Sequence, residues 1–207
     1  TVIYGYYPCK SEGNDLIIFK PKGLNPNKLH EQWGKQIDFN NAEEWVRFTF
    51  PRQNKGKYLC ISDFFKNINS NGFDVVPFFI VTVGQRATEY AKELYAKNLY
   101  QDYLYFHGLS VETAEGLAEY WHKIIRKELG IDKKDSKDIS KLFQQGYQGS
   151  RYSFGYPACP NLEDNKFIFE LLKPERIGIT LTEEWQMVPE QSTNAIVVHH
   201  PEARYFF

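Results

Sequence analysis

The chain opens on a β-branched and aromatic run, Val2–Tyr7, and a second such run follows at Asp15–Phe19. Both read as strands. Ser11-Glu12-Gly13-Asn14 between them supplies turn residues, so the pair is expected to form a hairpin. Lys20 to Asn41 is rich in Pro, Gly, Asn and Lys and reads as irregular. Trp45-Val46-Arg47-Phe48-Thr49-Phe50 alternates with the period of a strand. Pro51 to Lys57 reads as a turn and Tyr58–Ile61 as the returning partner strand. Val75–Val83 (VVPFFIVTV) is a nearly continuous apolar run with β-branched residues. That is the pattern of a central strand buried on both faces.

After Gly84 the period changes. Gln85 to Leu99 places Ala87, Ala91, Leu94 and Asn98 on one side of a helix. His107-Gly108 then reads as a loop before a second helix. Ser110 suits its N-cap and Glu112 its first turn. Ala114, Leu117, Ala118, Trp121, Ile124 and Ile125 recur at spacings of three and four. Lys127 provides a basic last turn and Gly130 a stop. Shorter helices are expected from about Lys137 to Gln145 and from about Glu163 to Leu172, before Pro174. Strand patterns return at Gly178–Leu181, Ala195–His199 and Tyr205–Phe207.

Strands, then helices, then strands, without regular βαβ alternation, predict an α+β fold. The expectation is one domain over residues 1–207, with a twisted, mainly antiparallel sheet and helices packed at one side or end. Thr1 leads directly into a strand, and Phe207 falls as another apolar run begins. Domain ends are usually polar and flexible. The domain is therefore expected to be truncated at both ends and to belong to a longer polypeptide.

Composition narrows the function classes. With 25 basic and 26 acidic residues, the formal charge is -1. That balance argues against nucleic-acid binding, which needs cations to neutralise phosphates, and against a polybasic membrane anchor. Val75–Val83 is far shorter than the roughly 20 residues a membrane-spanning helix needs. Cys9, Cys60 and Cys159 are far apart and form no CxxC pair, so a cytoplasmic, reducing setting is expected. The aromatic content of 16% favours sheet packing and leaves rings for ligand stacking.

Familiar chemical motifs are missing. The sequence has no G-x-G-x-x-G, Walker loop, H-E-x-x-H or G-x-S-x-G. Glu115 and Glu119, with His122 three residues on, are expected on a helix face opposite the apolar stripe. His199-His200 would point to opposite faces of a strand, so no metal ligand is assigned. Cys159 has no identifiable base, and no catalytic residue is assigned.

Tyr147 to Pro160 (YQGSRYSFGYPACP) departs from an ordinary connection. It combines glycines that permit close backbone approach, an arginine fork, aromatic rings and two rigidifying prolines. Such a segment suits a small ligand carrying a carboxylate, a flat ring and a positive centre, with Arg151 on the carboxylate. It equally suits a structural loop whose aromatics fill the core. The residues alone leave both readings open.

At these residues the chain resembles the C-terminal activation domain of cobalamin-dependent methionine synthase. The hallmark is an Arg-x-x-x-Gly-Tyr stretch followed by Pro-Ala-Cys-Pro, and Arg151 to Pro160 reads RYSFGYPACP. Ala114-Glu115-Gly116-Leu117-Ala118-Glu119-Tyr120, Gly5-Tyr6-Tyr7-Pro8, Leu181-Thr182-Glu183, His200-Pro201 and Tyr205-Phe206 resemble further family segments, in order.

The resemblance implies binding of S-adenosylmethionine and support of the reductive methylation of cob(II)alamin to methylcobalamin, which reactivates the enzyme. It implies a methyltransferase function as part of that enzyme, with cobalamin held by a neighbouring domain. The implied partners are that cobalamin-binding domain and flavodoxin or a similar reductase. Arg151, Ser153, Gly155 and Tyr156 look like ligand contacts. Glu115 looks like a helix residue reaching the site, and Tyr205 and Phe206 look like a late aromatic pair beside it. The family domain starts earlier, in a segment with an acidic residue for the ligand's amino group, and continues past Phe207. The alternative is a non-catalytic interaction module that contacts a corrinoid protein or reductase.

Overall fold

The computed structural model describes residues 1–23 and 41–206. The stretch read as irregular, Lys20 to Asn41, therefore lies largely outside the described residues, as does Phe207. Among them are a six-stranded sheet and four α-helices. The strands are β1 (Val2–Glu12), β2 (Asp15–Pro21), β3 (Ala42–Thr49), β4 (Asp74–Thr82), β5 (Ser150–Tyr152) and β8 (Ser192–Val198). Their order is β3-β2-β1-β4-β8-β5, and every ladder is antiparallel. A separate two-stranded hairpin pairs β6 (Thr180–Leu181) with β7 (Met187–Val188). The helices are α1 (Gln85–Ala96), α2 (Tyr100–Glu128), α3 (Ile139–Leu142) and α4 (Asn165–Leu172).

The expected hairpin is present. β1 and β2 pair from Cys9↔Ile18 to Glu12↔Asp15, and Gly13 takes the left-handed φ of 59° that a tight turn requires. β4 lies in the interior of the sheet, between β1 and β8. Its apolar run is continuous because both faces are covered. Phe78 and Ile80 join the larger core with α4, whereas Phe79 and Val81 join the cluster under α2. Each such side chain contributes about 1.5–3 kcal/mol by leaving water. The placement of helices on one side holds for α1 and α2, while α4 covers the opposite face. Tyr7 anchors α4: its ring lies over Gly5 and its hydroxyl donates to the Leu171 carbonyl at 2.7 Å.

Several expectations fail for local reasons. Tyr58–Ile61 is not a strand. Tyr58 has a φ of 54°, and a 3-10 turn over Ile61–Phe64 follows, held by Asp63 accepting from the Cys60 N–H at 2.9 Å. Ser110 is not an N-cap, and His107-Gly108 is not a loop, because α2 begins at Tyr100 and runs unbroken to Glu128. Ser110 satisfies its hydroxyl inside the helix by donating to the Phe106 carbonyl at 2.8 Å. Packing on α1 compensates for Gly108 at a helix interior position. Tyr205 and Phe206 form no strand ladder. Gly178–Leu181 shrinks to the two residues of β6. The expected helix over Lys137 to Gln145 contracts to α3. Ser150–Tyr152, read from sequence as part of a loop, is an edge strand.

Candidate functional site

The register of β5 decides where Arg151 points. Ser150, Arg151 and Tyr152 pair with Val198, Val197 and Ile196 of β8. Alternation sends Tyr152 into the larger core and Arg151 to the other face, where α2 lies. There the guanidinium meets Glu119 through Nη1 and Glu115 through Nη2, the latter at 3.6 Å. Gly149, at the entry to β5, has a φ of 87°. A Cβ there would sit 2.4 Å from the Val198 carbonyl, so only glycine fits this approach to β8.

The partners of Arg151 belong to one stripe of α2. Glu115, Glu119, His122 and Arg126 are spaced by four, three and four, so they fall on one helical face. This corrects the expectation of a face opposite the apolar stripe. His122 is fully buried, and Arg126 is 1% exposed. Arg126 pairs with Asp135 through Nη2 at 2.8 Å and lies over the Tyr147 ring, 4.0 Å from its centroid. His122 meets the same ring edge-on at 5.1 Å. Burial, then the charges of Arg126 and Arg151, push the His122 imidazole well below its ordinary value, so it stays neutral. This cluster pins the 135–147 segment to α2 and fixes the approach to β5.

Beyond Tyr152 the chain leaves the sheet in a tight turn. The Gly155 N–H donates to the Cys159 carbonyl, and the Cys159 N–H donates to the Tyr156 carbonyl, each at 2.9 Å. The Cys159 thiol donates to the Ser153 carbonyl at 3.0 Å, and burial pushes it up to about 12. At neutral pH it is a structural thiol and no nucleophile. Gly155 has a φ of 92°, and both it and Tyr156 are exposed.

A family model described as vitamin B12 dependent methionine synthase, activation domain, matches residues 1–207. The chain belongs to that family. It is 45% identical over 217 residues to methionine synthase of Mycobacterium tuberculosis (strain ATCC 25618 / H37Rv), covering all of this chain and 17% of that protein. Methionine synthase of Mycobacterium leprae (strain TN) is 44% identical over 216 residues, with the same shares. The chain thus spans about a sixth of the length of these relatives. Among solved structures, that of the MetH reactivation domain bound to AdoHcy is similar with a TM-score of 0.78 and 26% identity. The match covers 98% of this chain and 59% of that one.

In this activation-domain chain, Arg151 and Glu115 come together directly, and Ser153, Gly155 and Tyr156 follow on the adjoining turn. Tyr205 stacks on Tyr152 with centroids 5.7 Å apart, and its backbone N–H donates to Gln145 Oε1 at 3.2 Å. Phe206 lies apart from the exposed residues: it is 8% exposed and packs in the core against Tyr152 and Phe64. The side chains of the His199-His200 pair are engaged away from the Arg151 guanidinium and its carboxylates. His199 Nε2 is 2.9 Å from Asp74 Oδ1, and the His200 ring packs against Phe64. Sequence reading left Glu119 out of the site and gave no role to Arg126. The signal for both was available in their spacing from Glu115 along one helix.

Proposed function

We propose that the chain binds S-adenosylmethionine and supports reductive methylation of cob(II)alamin to methylcobalamin within a longer methionine synthase. The observation that carries this reading is the Arg151 fork beside Glu115 and Glu119, on a family-typical Arg-x-x-x-Gly-Tyr turn. The donor set fits the ligand. Its carboxylate suits a guanidinium, its ammonium and sulfonium suit the two carboxylates, and its adenine suits the exposed rings of Tyr156 and Tyr205.

Bound ligand and corrin supply the methyl-transfer and redox chemistry. The chain's own contribution is binding and orientation. Arg151 fixes the amino-acid end, the turn at Gly155 allows close backbone approach, and the ring faces set the adenosyl group. Holding a donor methyl at a defined place is proximity catalysis and needs no acid, base or nucleophile. The cobalamin-binding part of the same enzyme, and flavodoxin or a comparable reductase, are the partners this role requires. The cytoplasm is the setting.

Calorimetric titration of the full-length enzyme with S-adenosylmethionine tests the reading. Saturable binding that Arg151→Ala strongly weakens is expected. Absence of binding, together with retained association with a cobalamin domain, would instead support the interaction-module reading.

A further inference from the structure

The turn that carries Ser153, Gly155 and Tyr156 begins where β5 leaves the sheet, and one buried side chain marks that point. The antiparallel register pairs Ser150 with Val198 and Tyr152 with Ile196. Extended by two residues, it would set Phe154 opposite Asn194. The strand does not continue, and the Phe154 N–H instead donates to the side-chain Oδ1 of Asn194 at 3.3 Å. The amide oxygen stands in for the lost ladder carbonyl. Asn194 in turn donates through Nδ2 to Asn165 Oδ1 at 2.7 Å. Asn165 donates through its own Nδ2 to the Trp185 carbonyl at 2.9 Å. Both asparagines are 2% exposed. A buried amide chain therefore runs from the turn through β8 and α4 to the β6–β7 hairpin.

Each link has a direction, since the oxygen of one amide must face the nitrogen of the next. A chain of this kind holds one geometry, and a broken member leaves a buried donor unsatisfied. The Phe154 side chain cannot fix the turn alone. Its ring is buried against Phe48 and Phe50, but apolar packing has no preferred direction for the backbone N–H.

We propose that Asn194 is a positioning residue for the ligand turn, held in place by Asn165. The proposal rests on the reading of that turn as the S-adenosylmethionine site. Asn194 itself touches no ligand. It determines where β5 peels from β8, and hence how the Ser153 and Gly155 backbone faces the adenosyl group.

The test uses the full-length enzyme and calorimetric titration with S-adenosylhomocysteine. Asn194→Leu removes the acceptor at similar volume and is expected to weaken binding about tenfold or more. Asn194→Asp keeps an acceptor for the Phe154 N–H but loses the donor to Asn165 Oδ1. It is expected to weaken binding several-fold, as Asn165→Ala does, and clearly less than Asn194→Leu, while burying a carboxylate lowers its melting temperature. Ile18→Ala, in the remote strand β2, lowers stability and should leave affinity unchanged. Asn165→Ala frees the Asn194 amide and should weaken binding several-fold; it serves also if Asn194→Leu does not fold. Wild-type affinity in Asn194→Leu or Asn165→Ala, or equal loss in the Asp and Leu variants, would overturn the proposal. Arg151→Ala separates the two levels. Unchanged binding there would sink the site reading itself, whereas loss there with full binding in Asn194→Leu would sink only the role of Asn194.

Discussion

Arg151 on β5 and Glu119 on α2 form an ion pair that joins the edge of the sheet to the long helix. Glu115 approaches the same guanidinium from one helical turn earlier. Both carboxylates are partly exposed, so solvent screens their attraction, and the pair adds little to stability. Its significance is geometric: an arginine fork is held at the sheet edge, two residues before the turn that carries Ser153, Gly155 and Tyr156.

Stability and binding should therefore separate at Arg151. Arg151→Ala is expected to cost about 1 kcal/mol or less in urea unfolding. Binding of S-adenosylmethionine should lose about 2–5 kcal/mol, because the ligand carboxylate would be left without its partner. Arg151→Lys keeps the charge without the planar fork and should recover only part of the affinity. Parallel unfolding and calorimetric titrations check both.

The continuity of α2 through His107-Gly108 gives a second expectation. A Cβ on Gly108 would meet nothing within 4 Å. Gly108→Ala should stabilise by about 0.5–1 kcal/mol, since alanine loses less backbone entropy in a helix. A raised thermal midpoint is the expected result. A loop at this position would show no such gain.

That helix also shows how far the sequence could be read. The strong apolar period at Ala114–Ile125 was legible, as were the β1–β2 hairpin and the central strand β4. The first half of α2 was not, because Gly108 and Ser110 carry the local signature of a boundary. Tertiary packing on α1 overrides that signature. β5 was hidden for a different reason. Three residues between glycines carry no period, and pairing with β8 alone makes them a strand. Arg151, Gly155 and Tyr156 stood out only through the resemblance of RYSFGYPACP to the family motif, since the residues alone suit a ligand loop and a structural loop equally. Asn194 did not, since its role depends on a register seen only in the fold.

Gly149 should tolerate no side chain. Its φ of 87° would strain any other residue, and a Cβ would meet the Val198 carbonyl at 2.4 Å, a clash with backbone. Gly149→Ala should destabilise by more than about 1 kcal/mol. It should also weaken ligand binding, since it displaces the entry to β5. Urea unfolding and titration of one preparation measure both effects.

The buried His122 predicts a pH effect of definite sign. Its folded-state value lies well below 6.5, so the unfolded chain takes up the proton first. Its contribution to stability is intact above about pH 6.5 and is lost as the pH falls. Asp164 acts oppositely. Burial raises its carboxyl from 3.8 to about 6, so the folded state takes up the proton first and gains stability as pH falls through that window. The difference in unfolding free energy between wild type and His122→Phe isolates the first effect. It should shift in favour of the variant as pH is lowered from 7 to 5, and a pH-independent difference would refute the assignment.

The most direct measurement is a crystal structure of the full-length enzyme's activation domain region with S-adenosylhomocysteine bound. The ligand carboxylate is expected on the Arg151 fork and the adenosyl group against the turn from Ser153 to Tyr156. A ligand bound elsewhere, with Arg151 paired only to Glu115 and Glu119, would contradict the proposed site.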